Sequence, residues 1–235
     1  MDWRSEPRAI TLDLDDTLWP VAPTLVAAEQ ALSRWLSKQA PATAARLDVD
    51  RRATLRKVVL SDHPDRAHDF GFVRHELLRR ALSEAGDDPA MADEAFAVFL
   101  AARQQVTLFD DVRPVLAQWS ARYRLVAVSN GNADINRVGL ADYFIGAISA
   151  HEIGCAKPDP RMFHEACRLA GVPAEHTLHI GDDPHLDVIA ARQAGLHSAW
   201  LRRPDFAHRH SADTCGSASP FEDLHALEAA LAALR

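Results

Sequence analysis

Three carboxylates follow directly on a short, mostly apolar run: Ala9-Ile10-Thr11-Leu12 leads into Asp13-Leu14-Asp15-Asp16-Thr17. Four residues rich in β-formers that end in charge read as a buried strand whose carboxyl end carries acids. Buried carboxylates are costly unless a cation or several hydrogen bonds compensate them. Such a cluster therefore points to a bound metal ion, a fixed ammonium group, or both. Strand side chains alternate, so Asp13 and Asp15 can face one crevice while Leu14 turns away. One acid of that pair is then placed to act as nucleophile and the other as acid and base. A turn or helix cap built on Asp-Asp-Thr accounts for the same residues without chemistry.

Three further clusters stand at or after later strand ends. Ser129-Asn130-Gly131-Asn132 offers a hydroxyl, an amide and backbone able to present N–H groups to an anion, although Asn-Gly alone is equally a plain turn. Lys157-Pro158-Asp159-Pro160 sets a lysine before a proline-started helix. It supplies either positive charge to a carboxylate or phosphoryl group, or an ordinary solvated surface lysine. Gly181-Asp182-Asp183, with Asp187, is a second acidic strand end. Aspartate also favours helix N-caps, but two such ends in one sheet could together supply the few carboxylates by which a protein holds Mg²⁺.

The elements that must position these groups alternate between strand and helix. Apolar runs at 9–12, 125–128, 144–149, 177–180 and 197–201 read as strands, and helical spacing covers 112–121, 160–170 and 187–194. That alternation predicts a parallel sheet flanked by helices. Between Pro20 and Thr107 no strand is visible. Leu25, Ala28, Leu32 and Leu36 recur at helical spacing until Pro41 closes the segment, and further helices are expected over 49–60, 70–85 and 89–105. The chain is therefore expected to form an α/β core from residues 1–20 and 107–235, with an inserted all-helical subdomain over 21–106. Ser219-Pro220-Phe221-Glu222 has the form of a capping box for a last helix marked by Leu224, Leu227, Leu231 and Leu234.

Composition fits a soluble enzyme: 235 residues, 48% hydrophobic and 25% charged. A net charge of −7 argues against an extended nucleic-acid footprint. No apolar run approaches bilayer-spanning length, and the first residues lack the apolar segment of a signal peptide. Cys155, Cys167 and Cys215 are odd in number and lack zinc-type spacing. Free thiols in the cytoplasm, and a monomer or homodimer acting on a small molecule, are the corresponding expectations.

Taken in order, Asp-x-Asp-x-Thr, Ser-Asn-Gly, Lys-Pro-Asp-Pro and Gly-Asp-Asp with a following Asp resemble the haloacid dehalogenase superfamily of phosphohydrolases, over residues 10 to 202. The strings Asp13-Leu14-Asp15-Asp16-Thr17-Leu18, Ser129-Asn130-Gly131-Asn132 and His179-Ile180-Gly181-Asp182-Asp183 look closest to a bacterial branch. Its members dephosphorylate flavin mononucleotide and the phosphorylated ribitylaminouracil intermediate of riboflavin synthesis. The resemblance implies a Rossmann-like core, a helical cap, and Mg²⁺ held by the Asp13 carboxylate, the Asp15 carbonyl and the Asp182 carboxylate. It implies Asp13 as nucleophile, Asp15 as acid and base, and Ser129 and Lys157 on the phosphoryl oxygens with backbone N–H groups near Leu14 and Asn130. Asp187 would orient Lys157 or a metal-bound water. The dehalogenases lack an acid at the position of Asp15, so the resemblance favours phosphoryl transfer. A sugar phosphomutase and a phosphate-binding module without turnover are the rival readings. In the helical block, His63, Arg66, His68, Arg74 and His75 could reach a polar substrate, Arg74 foremost, and Trp19 and Pro20 stand where they could border the site.

Overall fold

The computed structural model describes residues 6–206 and 220–234. β1 (Ala9–Leu12) is buried along its whole length, in keeping with a mostly apolar strand in a sheet covered on both faces. The chain then leaves the sheet for five helices: α1 (Val21–Gln39), α2 (Pro41–Arg46), α3 (Val49–Asp62), α4 (Phe70–Ala85) and α5 (Ala92–Arg103). Pro41 does not simply end α1. It opens the separate short helix α2, because its fixed φ and missing N–H suit a first helical position. Leu32 and Leu36 of α1, Leu77 and Leu82 of α4, and Phe99 of α5 meet in one apolar core. Asp48 and Asp69 cap α3 and α4 by accepting from the N–H groups of Arg51 and Phe72.

The chain divides into two compact units, Val21–Val106 and the combination of Met1–Pro20 with Thr107–Arg235. The second unit continues with α6 (Val112–Ser120), β2 (Arg124–Ser129), β3 (Gly146–Ser149), α7 (Ala150–Ile153), α8 (Pro160–Ala170), β4 (Thr177–Gly181), α9 (Ala190–Gln193), β5 (His197–Trp200) and α10 (Leu224–Ala232). Among the described residues the strands form one parallel sheet, in the order β3-β2-β1-β4-β5. The core is thus a Rossmann-like parallel sheet with flanking helices. Val126, Val128 and Ile148 pack on Met162, Ala166 and Ala170 of α8. Trp119 of α6 is fully buried and donates its indole N–H to Glu228 of α10 at 2.6 Å.

Strand order decides where a site can form. From β1 the chain winds outward through β2 and β3, then returns to the other side of β1 for β4 and β5. The carboxyl end of β1, between β2 and β4, is the point at which the winding reverses, and in open parallel sheets such points leave a crevice for ligands.

Two local expectations are corrected. The helix expected over 187–194 begins earlier, as a π-helical turn at Pro184–Ile189 that runs into α9. The last helix begins at Leu224 and not at Pro220, capped by Asp223, whose side chain accepts from the Ala226 N–H. Ser219 itself lies outside the described residues, as does Cys215, whereas Cys155 and Cys167 are free and buried.

Candidate active site

Asp13 stands one residue past β1, and its N–H still donates to the Ile180 carbonyl of β4 at 2.9 Å. The sheet therefore holds the backbone of Asp13. Its Oδ1 receives the ammonium of Lys157 at 2.5 Å, and the same ammonium reaches Oδ1 of Asp187 at 2.6 Å. All three side chains are buried. Lys157 is no solvated lysine: burial disfavours its charge, but Asp13 and Asp187 outweigh that and hold the ammonium above its ordinary range.

Asn130 fixes the main chain at Lys157. Its Oδ1 accepts the Lys157 N–H at 2.7 Å, and its Nδ2 donates to the Lys157 carbonyl at 3.0 Å. The Asn130 side chain thus clamps one loop to another, and the group expected to meet an anion is its backbone N–H. Ser129 ends β2, buried, with its Oγ accepting from the Gly131 N–H at 2.9 Å. Leu14 is buried.

Asp187 is held on every side. His179 Nε2 lies 3.1 Å from Oδ1, and the Asp183 N–H donates to Oδ2 at 3.0 Å. Behind the ring, Thr11 Oγ1 is 2.8 Å from His179 Nδ1. Burial keeps His179 below its ordinary pKa and hence neutral. Since an ionised carboxylate only accepts, Nε2 carries the proton and Nδ1 accepts from Thr11. Burial opposes the charge of Asp187 too, but Lys157 and His179 keep it ionised well below the usual carboxylate range.

Asp182 follows β4. Its carbonyl accepts from the buried Trp200 indole at 2.9 Å, and Thr17 Oγ1 lies within donating reach of both Asp182 Oδ1 (3.4 Å) and Asp13 Oδ2 (3.3 Å). Asp13, Asp182 and Asp187 offer carboxylate oxygens that all lie within 4.8 Å of one another. Burial and mutual repulsion raise Asp182 to about 9. Burial also raises Asp13 to about 7, against the pull of Lys157. Crowded hard oxygens that resist ionisation by themselves are a donor set that a small divalent cation satisfies. Asp187 Oδ1 is held by Lys157 at 2.6 Å and Oδ2 by the Asp183 N–H at 3.0 Å, whereas Asp13 Oδ2 and Asp182 Oδ1 meet the Thr17 hydroxyl at 3.3 and 3.4 Å, which makes Asp13 and Asp182 the better placed side-chain ligands.

Asp15 is half-buried, and the indole N–H of Trp19 donates to its Oδ1 at 2.8 Å. Trp19, expected to border the site, is wholly buried and reaches Asp15 through that indole N–H. Arg74 belongs to the helical unit, where its guanidinium pairs with Glu29 at 2.6 Å and lies 3.7 Å from the Phe99 ring centroid. Arg66 and His75 are likewise engaged there, with Asp69 and Asp93.

Sequence reasoning gave no role to Thr11, Thr17, His179 and Arg203. Arg203 is buried, pairs with Asp111 at 2.6 Å and donates to the Thr17 carbonyl at 2.8 Å, bracing the loop after β1. A signal was present for two of them: a threonine and a histidine interrupt otherwise apolar strands, and a buried polar residue is the informative exception.

The model of the haloacid dehalogenase-like hydrolases matches residues 7–195. The 5-amino-6-(5-phospho-D-ribitylamino)uracil phosphatase YigB of Escherichia coli (strain K12) is 31% identical over 198 residues, 83% of this chain and 83% of that protein. The phosphoserine phosphatase of Thermus thermophilus is 35% identical over 139 residues, covering 57% of this chain and 56% of that one. A crystal structure of a 2-haloacid dehalogenase from Pseudomonas syringae pv. Tomato DC3000 superimposes with a TM-score of 0.89 at 37% identity, covering 97% of this chain and all of that one (100%).

Proposed function

The chain belongs to the haloacid dehalogenase-like hydrolases and is a phosphatase, and on that premise we propose that it works with Mg²⁺ through a phosphorylated Asp13. The observation that carries this reading is the pair of acids two residues apart, with Asp13 on Lys157 and Asp15 on a separate donor, Trp19. Two neighbouring carboxylates held by different partners can take different roles.

In the first step a carboxylate oxygen of Asp13 attacks phosphorus. The bond from phosphorus to the ester oxygen breaks, and that oxygen leaves with its electron pair and takes the proton of Asp15. In the second step water attacks phosphorus and gives a proton back to Asp15. The acyl phosphate bond breaks, which restores the Asp13 carboxylate and frees phosphate. Lys157 and Ser129, with backbone N–H groups near Leu14 and Asn130, bind the phosphoryl oxygens and stabilise the charge that spreads over them. Asp187, gripped by His179 and the Asp183 N–H, keeps Lys157 in place. Mg²⁺ would be held by the carboxylates of Asp13 and Asp182 and the Asp15 carbonyl, and when bound it offsets the repulsion between an anionic nucleophile and an anionic ester.

The substrate class is small phosphorylated metabolites, with flavin mononucleotide and the ribitylaminouracil phosphate first, since the relative named for the latter aligns over most of both chains. The helical unit is the proposed cap, and Arg74 its proposed substrate contact once it parts from Glu29. A haloacid reading has the 2-haloacid dehalogenase structure in its favour, but carbon–halogen cleavage leaves no role for an acid at Asp15. A Mg²⁺-supplemented screen for phosphate release over flavin, ribitylaminouracil, sugar and nucleotide phosphates tests the proposal, with halide release from a 2-haloacid measured alongside. Phosphate release that stops with EDTA and in a folded Asp13→Asn variant is expected. Halide release, metal-independent turnover or an active Asp13→Asn enzyme would overturn it, and an isomerised sugar phosphate would mark a mutase.

A further inference from the structure

The indole of Trp19 is fully buried, yet its N–H is not spent on packing: it donates to Oδ1 of Asp15 at 2.8 Å. The backbone allows little play in that bond. The Asp16 N–H donates to the Trp19 carbonyl at 2.8 Å, and the Leu18 N–H to the Leu14 carbonyl at 2.8 Å, so residues 14–19 form a closed turn. Asp16 sits in the left-handed region at φ 60° to complete it, a conformation that aspartate tolerates better than most residues. The turn is tied from outside as well. Arg203 donates to the Thr17 carbonyl, and the Phe109 N–H to the Leu18 carbonyl at 3.1 Å.

From this arrangement we infer that Trp19 is a positioning residue for the Asp15 carboxylate, through its indole N–H. The inference rests on the reading of Asp15 as the group that protonates the leaving oxygen. An N–H can only donate, so Oδ1 of Asp15 is an acceptor in both protonation states. The proton that passes to the ester oxygen in the first step, and returns from water in the second, is thereby favoured on Oδ2, because a carboxylic acid's hydroxyl oxygen is a poorer acceptor than its carbonyl oxygen. A buried indole N–H also requires an acceptor, which locks the carboxyl plane against rotation about its last side-chain bond. Pre-set orientation of this kind counts in proton transfer because the acid must meet the leaving oxygen as the bond to phosphorus lengthens.

The test compares two esters in the same enzyme preparation. p-Nitrophenyl phosphate releases an oxygen that is stable as an anion and needs little protonation, whereas flavin mononucleotide releases an alkoxide that needs a proton. The quantity read is kcat/KM, which reports the first phosphoryl transfer, and its ratio between the two esters, which does not depend on how much enzyme is folded. Trp19→Phe should lower kcat/KM for flavin mononucleotide by about tenfold more than for p-nitrophenyl phosphate, a part of the roughly hundredfold or greater contribution of a general acid. Benzothienylalanine at position 19 keeps the bicyclic shape and replaces only the N–H, so it gives the same readout if Trp19→Phe does not fold. Equal losses on both esters with these replacements would overturn the proposal in favour of packing alone. Asp15→Ala serves as the reference: a selective loss on flavin mononucleotide supports the acid role. If Asp15→Ala is selective and the Trp19 replacements are not, the positioning role alone falls. If Asp15→Ala is itself unselective, the acid reading falls and takes the inference with it.

Discussion

At the scale of single residues, the site depends on the absence of one side chain. A Cβ at Gly181 would lie 2.2 Å from Cγ of Asp187, far inside contact distance. The carboxylate that holds Lys157 and His179 occupies the space a side chain would take. Gly181→Ala should therefore displace Asp187, release Lys157 from its two-sided grip and reduce turnover about hundredfold, the penalty typical of a misplacement near 1 Å. Steady-state kinetics on p-nitrophenyl phosphate, with circular dichroism to show that the fold persists, checks this outcome. A fully active variant would mean that Asp187 does not set the lysine. The glycine, the lysine and both acidic clusters are legible in the sequence, but their dependence on one another is not, because Gly181 and Asp187 meet only after the π-helical turn folds one back over the other.

At the scale of elements, the helical unit illustrates a charge placed where one turn of helix can use it. Glu76, buried on α4, accepts from Arg79 and Arg80, three and four residues further on, the spacing that brings side chains together on one helical face. Hydrogen bonding from Arg79 is the main cause that lowers its pKa, to about 2. A carboxyl whose folded pKa is depressed adds stability above its unfolded value, and loses it as pH falls through the folded one. Glu76→Gln should accordingly destabilise the protein by about 1–2 kcal/mol at neutral pH, and that difference should shrink as pH falls below about 4 and be lost only below the folded pKa of about 2. Denaturant unfolding of the two proteins at a series of pH values measures it. Periodicity located α1, α3, α4 and α5 because each buries an apolar stripe. It missed α2, a helix of six residues with one buried side chain, Thr43, which is too short for any period to register.

At the scale of the whole molecule, charge and metal are linked to stability. Asp13 and Asp182 have folded pKa values raised by burial, to about 7 and about 9. The native state therefore holds protons that the unfolded chain has released, and stability falls as pH rises from about 4 to about 9. Lys157 and Asp187 do not offset this, since the lysine is charged in both states and the aspartate's contribution is complete above about pH 4. Without metal, Tm should fall between about pH 6 and pH 9. Added Mg²⁺ should raise it more at the upper end, because binding requires ionised ligands. Differential scanning calorimetry with and without EDTA reads both slopes, and a Mg²⁺ effect independent of pH would separate the metal from these acids. No helix among the described residues is long and apolar enough to cross a membrane. By itself the sequence determined the parallel α/β core, the run of helices between its first two strands and the motifs at 13–17, 129–131, 157–160 and 181–183, because strand alternation, helical period and the chemistry of side-chain types are local properties, though the lysine motif follows α7 and not a strand. Only the tertiary structure decided which partner each group answers to: Trp19 to Asp15, Thr11 to His179 and His179 to Asp187, Arg203 to the Thr17 carbonyl. The first arises in the closed turn of residues 14–19, the others where β1 and β4 lie side by side and where loops from distant parts of the chain cross, and proximity of either kind leaves no period in the sequence.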